Sequence, residues 1–457
     1  MSNVEFHLYG AGDCTKHCDD NGNTNVLLTK DPDDDEEWLK DNIKMIERFM
    51  LDTTQQVTGT TKITSGSQCY STSESAIILK LKNREENGPE YHEIFFPSRN
   101  CDPDSGDGIL QIAQVSQAME IIHNSLVTGQ MCEKKLIYYC DTKIFQKYST
   151  TQELCDNIAA TFQLTHHQLG YEAAPKSLYA GNIQVTRIGD RRPPEETVGN
   201  EIVTLIPGLD RIKNVRPGKN VQFIIIIEKQ GVFSNLLDLR FTTDRRLGPL
   251  IMICPKGQSD IASCSLFHRL SVNPEIVRRP VPFYIFTACD PAGADIALTF
   301  KNGTPQTSFE PNIITPKVEW LGVSIEDLKN FPNSHSLIPR LTQTERSKIT
   351  NLLKSNKVPD NMMQFLQSMQ ESGEKCKMEK LLAYGSPAAM EGAETGKKRR
   401  RHRPINRLYE YILATVIKAG QKSIISSPRQ AIQAPASRFQ QKTIPTYQTL
   451  CFNWEVW

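Results

Sequence analysis

The sequence lacks any apolar run near the roughly twenty residues needed to cross a bilayer. A segment such as "FIIIIE", Phe223 to Glu228, is far too short. The N-terminus shows no signal-peptide pattern, so nothing argues for secretion and no membrane partner is expected. The 12 cysteines have no paired spacing, and "CTKHC" (Cys14 to Cys18) is followed by no second ligand pair that would complete a zinc knuckle. Reduced intracellular thiols are therefore the expectation. The net charge is only +1, which confines any nucleic-acid surface to local patches. A glycine-rich loop that would cradle phosphates is missing too, so ATP is not handled by this chain.

What is present suits a soluble globular protein of 457 residues, long enough for two or three domains. Residues 1–40 are polar and end in "DPDDDEE" (Asp31 to Glu37), which predicts a disordered acidic tail. In the next stretch Trp38, Ile43, Ile46, Phe49 and Met50 fall on one helical face. "SAIILKLKN" and "YHEIFFP" read as strands, and "ILQIAQVSQAMEIIHNSLVTG" as a long amphipathic helix.

Another helix follows in "STTQELCDNIAATFQLT", with Ser149 or Thr150 as N-cap, Glu153 in its first turn and Leu154, Ile158 and Phe162 on its buried side. "HHQLGYEAAPKSLYAGNIQVTRIG" then reads as short strands around a turn. This order fits a winged helix-turn-helix and equally a small α+β subdomain that meets no nucleic acid.

From residue 200 the pattern changes. "NVQFIIIIEK", "LGPLIMICPKG" and "VPFYIFTACDPAG" are continuous apolar strands, each followed by a helix-like segment. Such alternation predicts a parallel α/β sheet, whose ligand sites lie at the carboxyl ends of the strands. Glu228, Lys256 and Asp290 fall at those ends. Past residue 385 the pattern dissolves, and "KKRRRHR" (Lys397 to Arg403) reads as a nuclear-import or phosphate-binding patch, or as a solvated tail.

Two chemistries suggest themselves. Glu228 and Asp290 form a candidate carboxylate pair for Mg²⁺, a hard cation that takes oxygen ligands; Glu228 could equally cap a strand beside Lys229. "CEKKLIYYCDTKIFQKY" contains adjacent tyrosines, either of which could pack or react. A phenol, with an ordinary pKa of about 10, leaves more readily than an alkoxide, so a phosphotyrosyl link is reversible. Lys135 lies one helical turn before Tyr139 if the segment is helical.

"KKLIYYCD", "KSLYAGNIQV", "IIIIEKQGVF", "PKGQSDIAS", "CDPAGADI" and "VEWLGVSIEDL" stand in the order seen in the meiotic recombination double-strand-break proteins, eukaryotic relatives of the topoisomerase VI A subunit. The chain resembles that family from about residue 90 to 345, and more weakly to about 385.

The resemblance implies an α/β and α+β protein: residues 41–195 with a winged-helix tyrosine domain and residues 196–385 as a metal-binding Toprim domain with a parallel sheet; the composition beyond predicts a basic, mostly disordered tail over 386–457. It implies Tyr139 as the nucleophile, Tyr138 as its packing neighbour, and Glu228 and Asp290 as Mg²⁺ ligands. Lys176 and Arg187, near the expected wing, become candidate contacts to double-stranded DNA.

The implied activity is a nuclear, chromosome-bound DNA transesterase that makes programmed double-strand breaks in meiosis. It would act as a homodimer, and its partners would be other break-forming proteins plus a topoisomerase VI B-like subunit. The alternative is a decayed homologue that serves as a DNA-binding dimeric scaffold. This sequence departs from the family pattern at Ala288, where the first aspartate of an Asp-x-Asp motif belongs, at Lys135 in place of an arginine, and at Gln230 and Gln258.

Overall fold

The computed structural model describes residues 32–64, 77–84, 90–96, 107–188, 202–208, 211–279, 281–304, 307, 310, 312–325, 338–355, 358–379 and 407–425. The expectations for Cys14 to Cys18 and for the basic run Lys397 to Arg403 lie outside them.

The helical spacing that begins at Trp38 builds α1 (Pro32–Thr64). Its Ile46 is fully buried, and Ile43, Phe49 and Met50 lean on the same core. Residues 32–40, expected as disordered, are the first turns of this helix. The acidic run is continuous with the helix that the apolar spacing marks further on. β1 (Ile77–Lys82) and β2 (Tyr91–Phe96) pair antiparallel, and alternation along β1 turns Ile77, Leu79 and Leu81 inward. α2 (Asp107–Thr128) lays Val115, Ala118, Met119 and Ile122 on them.

A short β3 (Cys132–Glu133) leads into α3 (Lys134–Cys140), α4 (Thr142–Phe145) and α5 (Tyr148–Phe162). The Asp141 carboxylate separates α3 from α4 by accepting the N–H groups of Lys143 and Ile144, both at 2.9 Å. Helix α5 begins before the expected Ser149 or Thr150 cap. Lys147 holds the N-cap position and makes no side-chain cap bond. Leu154 and Ile158 are buried as their spacing predicts, and Phe162 meets Phe49 edge-on at 5.6 Å.

The helical half of the winged pattern is thus present, but the hairpin expected after it does not form from residues 166–189. β4 (Tyr171–Glu172) pairs parallel with β3 instead. β5 (Leu178–Gly181) joins the main sheet beside β10 (Leu250–Cys254), and β6 (Ile183–Arg187) pairs with β8 (Ile212–Pro217). Leu178, Tyr179, Ala180 and Ile183 belong to the second hydrophobic core. The first core ends at Tyr171 and the second begins at Leu178. Gly181 permits the crossing: its φ is +102°, and a Cβ there would stand 2.2 Å from the Leu250 carbonyl oxygen.

The main sheet runs β12 (Val318–Gly322), β11 (Phe283–Phe286), β9 (Phe223–Ile227), β10, β5, β7 (Thr204–Leu205). The first four strands are parallel, with Ile224 in register with both Ile251 and Phe283. Helices α6 (Gln230–Asp238), α7 (Ile261–Val272), α8 (Pro274–Val277) and α9 (Pro291–Asn302) fill the crossovers. Strands so covered must be apolar on both sides, which is why they read as unbroken runs. α10 (Gln343–Leu353) and α11 (Asp360–Ser372) add Ile349, Leu366 and Met369 to this core.

The tail expected over 386–457 contains a further helix, α12 (Arg407–Ile425), which buries Leu408, Ile412 and Val416 in the same core. Their i, i+4, i+8 spacing is one apolar stripe, overlooked because the flanking composition is polar. Tyr409 donates its hydroxyl to Asp244, and Arg246 pairs with Glu410 at 3.3 Å, so polar contacts also fasten the helix. Residues 426–457 lie outside the described ones. No helix among the described residues is long and apolar enough to cross a membrane.

Candidate active site

Helical phase divides the side chains of α3. Lys134 and Ile137, three apart, point into the protein; Lys135, Leu136, Tyr139 and Cys140 are exposed. Tyr139 is 65 % exposed, whereas Tyr138 packs against the first core, with its ring 6.1 Å from Tyr148 and 5.1 Å from Tyr139. Lys135 shares the exposed face of Tyr139, as the i, i+4 spacing requires.

Beneath the helix lies a buried polar network that the sequence reading missed. Lys134 Nζ is 2.5 Å from Asp156 Oδ1, and His166 Nε2 donates to the same oxygen at 2.9 Å. Arg84 stands 3.6 Å from Asp156 Oδ2. Burial alone would raise the Asp156 carboxyl, but the His166 hydrogen bond and the Lys134 charge outweigh it and hold the group below the usual value. Burial lowers His166 to about 4 and the Lys134 charge pushes the same way, against the opposing pull of Asp156, so the ring is neutral at pH 7. Its backbone N–H donates to Glu310 Oε1 at 3.0 Å, tying the network to the segment between α9 and β12. The signal was available: Lys134 shares the phase of Ile137, and a buried lysine needs a carboxylate.

At the other candidate centre, Glu228 follows β9 and is 2 % exposed. Its backbone N–H donates to the Phe286 carbonyl at 3.1 Å, which fastens the ends of β9 and β11 together. Both carboxylate oxygens have protein partners. Oε2 accepts the Ala288 N–H at 2.7 Å, and Oε1 lies 2.6 Å from Lys229 Nζ. Asp290 is the N-cap of α9, where its Oδ1 accepts the Gly293 N–H at 2.7 Å. Lys256, just past β10, has left-handed backbone with φ 57°, and the next N–H, of Gly257, donates to the Glu228 carbonyl at 2.9 Å.

The strand-end geometry is therefore as the sequence reading expected, with Glu228 and Asp290 following neighbouring parallel strands. The chemistry between them is not that of a ready metal site. Burial disfavours the Lys229 charge, but its hydrogen bond to Glu228 and the negative charges of Glu228, Glu379 and Asp290 prevail and raise it above an ordinary lysine. Ala288 offers no carboxylate, and the nearby aspartates are engaged elsewhere. Asp260 caps α7 and accepts the Ser177 hydroxyl, and Asp295 pairs with Lys348 at 2.8 Å. Among the described residues no group of three His, Cys, Asp or Glu side chains is placed to hold a metal ion. Two carboxylates already bonded to an ammonium and to backbone N–H groups do not fit Mg²⁺ as arranged.

Lys176 and Arg187 do not share one hairpin. Lys176 precedes β5 and donates to the Gln258 carbonyl, which ties it to the loop after β10. Arg187 ends β6, opposite Ile212 of β8, and is exposed.

A parallel sheet with a glutamate after its central strand and a capping aspartate after the next is the plan of a Toprim domain. Residues 223–391 match the family model for the Toprim domain of the topoisomerase 6 A subunit and Spo11. The chain is similar to the meiotic recombination protein SPO11 of Homo sapiens, 28 % identical over 260 residues that cover 56 % of this chain and 63 % of the relative. The corresponding protein of Mus musculus is 26 % identical over 322 residues, 65 % of this chain and 78 % of the relative. The DNA topoisomerase 6 A3 subunit of Oryza sativa subsp. indica is 24 % identical over 274 residues, 59 % of each chain. The match thus spans less than two thirds of the human relative's length.

Proposed function

We propose that this chain is a DNA transesterase that makes the double-strand breaks of meiotic recombination, in the nucleus and on chromosomes. The Tyr139 phenol oxygen attacks a backbone phosphorus, a P–O bond to that oxygen forms, and the P–O bond to the departing 3′ sugar oxygen breaks. The phenol proton leaves to solvent or a nearby base, the 3′ oxygen takes up a proton, and the protein stays on the 5′ end. Lys135, on the same exposed face, supplies positive charge to the phosphate.

One observation carries this reading: of two adjacent tyrosines on one helix, Tyr139 is 65 % exposed while Tyr138 packs on the core. Two such chains cut the two strands of double-stranded DNA, joined by other break-forming proteins and by a topoisomerase VI B-like subunit. Incubation with supercoiled DNA followed by denaturing trapping tests it. A covalent adduct is expected with the wild type and with Tyr138→Phe, and none with Tyr139→Phe. An adduct that persists in Tyr139→Phe overturns the assignment.

Ala288 and the ion pair of Glu228 with Lys229 favour a second reading, a DNA-binding dimeric scaffold without cleavage. Salt-sensitive DNA binding with no adduct under any divalent cation would select it.

A further inference from the structure

The strand-end carboxylates contain a cation of their own. The Lys229 ammonium is the 2.6 Å partner of Glu228 Oε1, and the charges of Asp290 and Glu379 bear on it as well. The other Glu228 oxygen is fixed by the Ala288 N–H. Position 288 itself contributes only a buried methyl group, so its side chain brings no further oxygen or negative charge to the site.

We propose that Lys229 is the resident cation of this Toprim site, so that a divalent metal reaches Glu228 only by displacing its ammonium. A hard cation seeks the same oxygens that the ammonium holds, and the two positive charges cannot share them cheaply at this burial. The uncharged side chain at 288 tips the balance toward the lysine. An aspartate there would add a negative charge and favour a dication over a single ammonium.

Mn²⁺, an oxygen-seeking ion with a paramagnetic signal, is the probe, titrated into the full chain near neutral pH and followed by electron paramagnetic resonance. The wild type is expected to bind weakly. Lys229→Met is expected to bind on the order of tenfold tighter or more, and Glu228→Gln in that background abolishes the gain. Wild-type binding that depends on Glu228 and is unchanged by Lys229→Met overturns the proposal.

If Lys229→Met does not fold, amine labelling of the wild type with mass-spectrometric readout decides. Lys229 is expected to label more slowly than Lys135, and saturating Mn²⁺ is expected to speed it. Equal rates, or indifference to saturating Mn²⁺, overturn the proposal. DNA cleavage enters neither measurement, so this outcome and that of the adduct assay are separate.

Discussion

The rings of Tyr138 and Tyr139 lie 5.1 Å apart, yet the first packs on the core and the second faces solvent. Neighbours on a helix are about 100° apart, so one turn of backbone assigns packing to one ring and reach to the other. Their stability effects should diverge accordingly. Tyr139→Phe is expected to change unfolding free energy by less than about 0.5 kcal/mol, and Tyr138→Ala to cost about 1–3 kcal/mol. Chemical denaturation of the two variants checks this, and a larger cost for Tyr139→Phe would contradict the exposed placement.

Adjacent lysines should behave as differently as adjacent tyrosines. Lys134→Met leaves the Asp156 carboxylate short of its ammonium in a buried setting, at a cost of about 3 kcal/mol; Arg84 and His166 soften the loss. Lys135→Ala is expected to stay within about 0.5 kcal/mol while weakening DNA binding. Melting temperatures and a salt-dependent binding assay separate the two.

Acid should loosen the lobe that carries Tyr139. His166 falls from 6.5 to about 4 on folding, so the unfolded chain binds the extra proton. Its contribution is fully present above pH 6.5 and is lost as pH falls toward 4, at most about 3 kcal/mol over that window. The lowered Asp156 acts in the same direction at still lower pH, since its contribution is present above the unfolded carboxyl value and lost as pH drops through the folded one. Melting at pH 7 and pH 5 should show the fall, and His166→Gln should flatten it.

The last described helix should behave as part of the core. Ile412 is fully buried, so Ile412→Ala is expected to cost about 2–5 kcal/mol. Unfolding of Ile412→Ala measured against the wild type tests this, and a change near zero would return the segment to the status of an appendage.

How much of this was legible beforehand varies by element, for physical reasons. β9, β10 and β11 announce themselves because strands covered on both faces must be apolar without alternation, and their ends then locate Glu228 and Asp290. β5 was misassigned because "LYAG" is four residues long and its partner, β10, lies some seventy positions away in sequence. Local pattern does not encode such pairing. Lys134 was legible in principle from helical phase. The partners of Lys229 were not, because they depend on where three separate segments bring their carboxylates. α12 was hidden by its polar flanks, although its stripe of Leu408, Ile412 and Val416 is plain once the period is counted.

The grip on Glu228 at position 288 comes from a peptide N–H, not from a side chain. Every amino acid except proline brings that donor, so the residue here can change its chemistry without releasing the glutamate. Scaffold and reactivity are uncoupled at this one place: an alanine can empty the position of charge while the carboxylate opposite keeps its orientation.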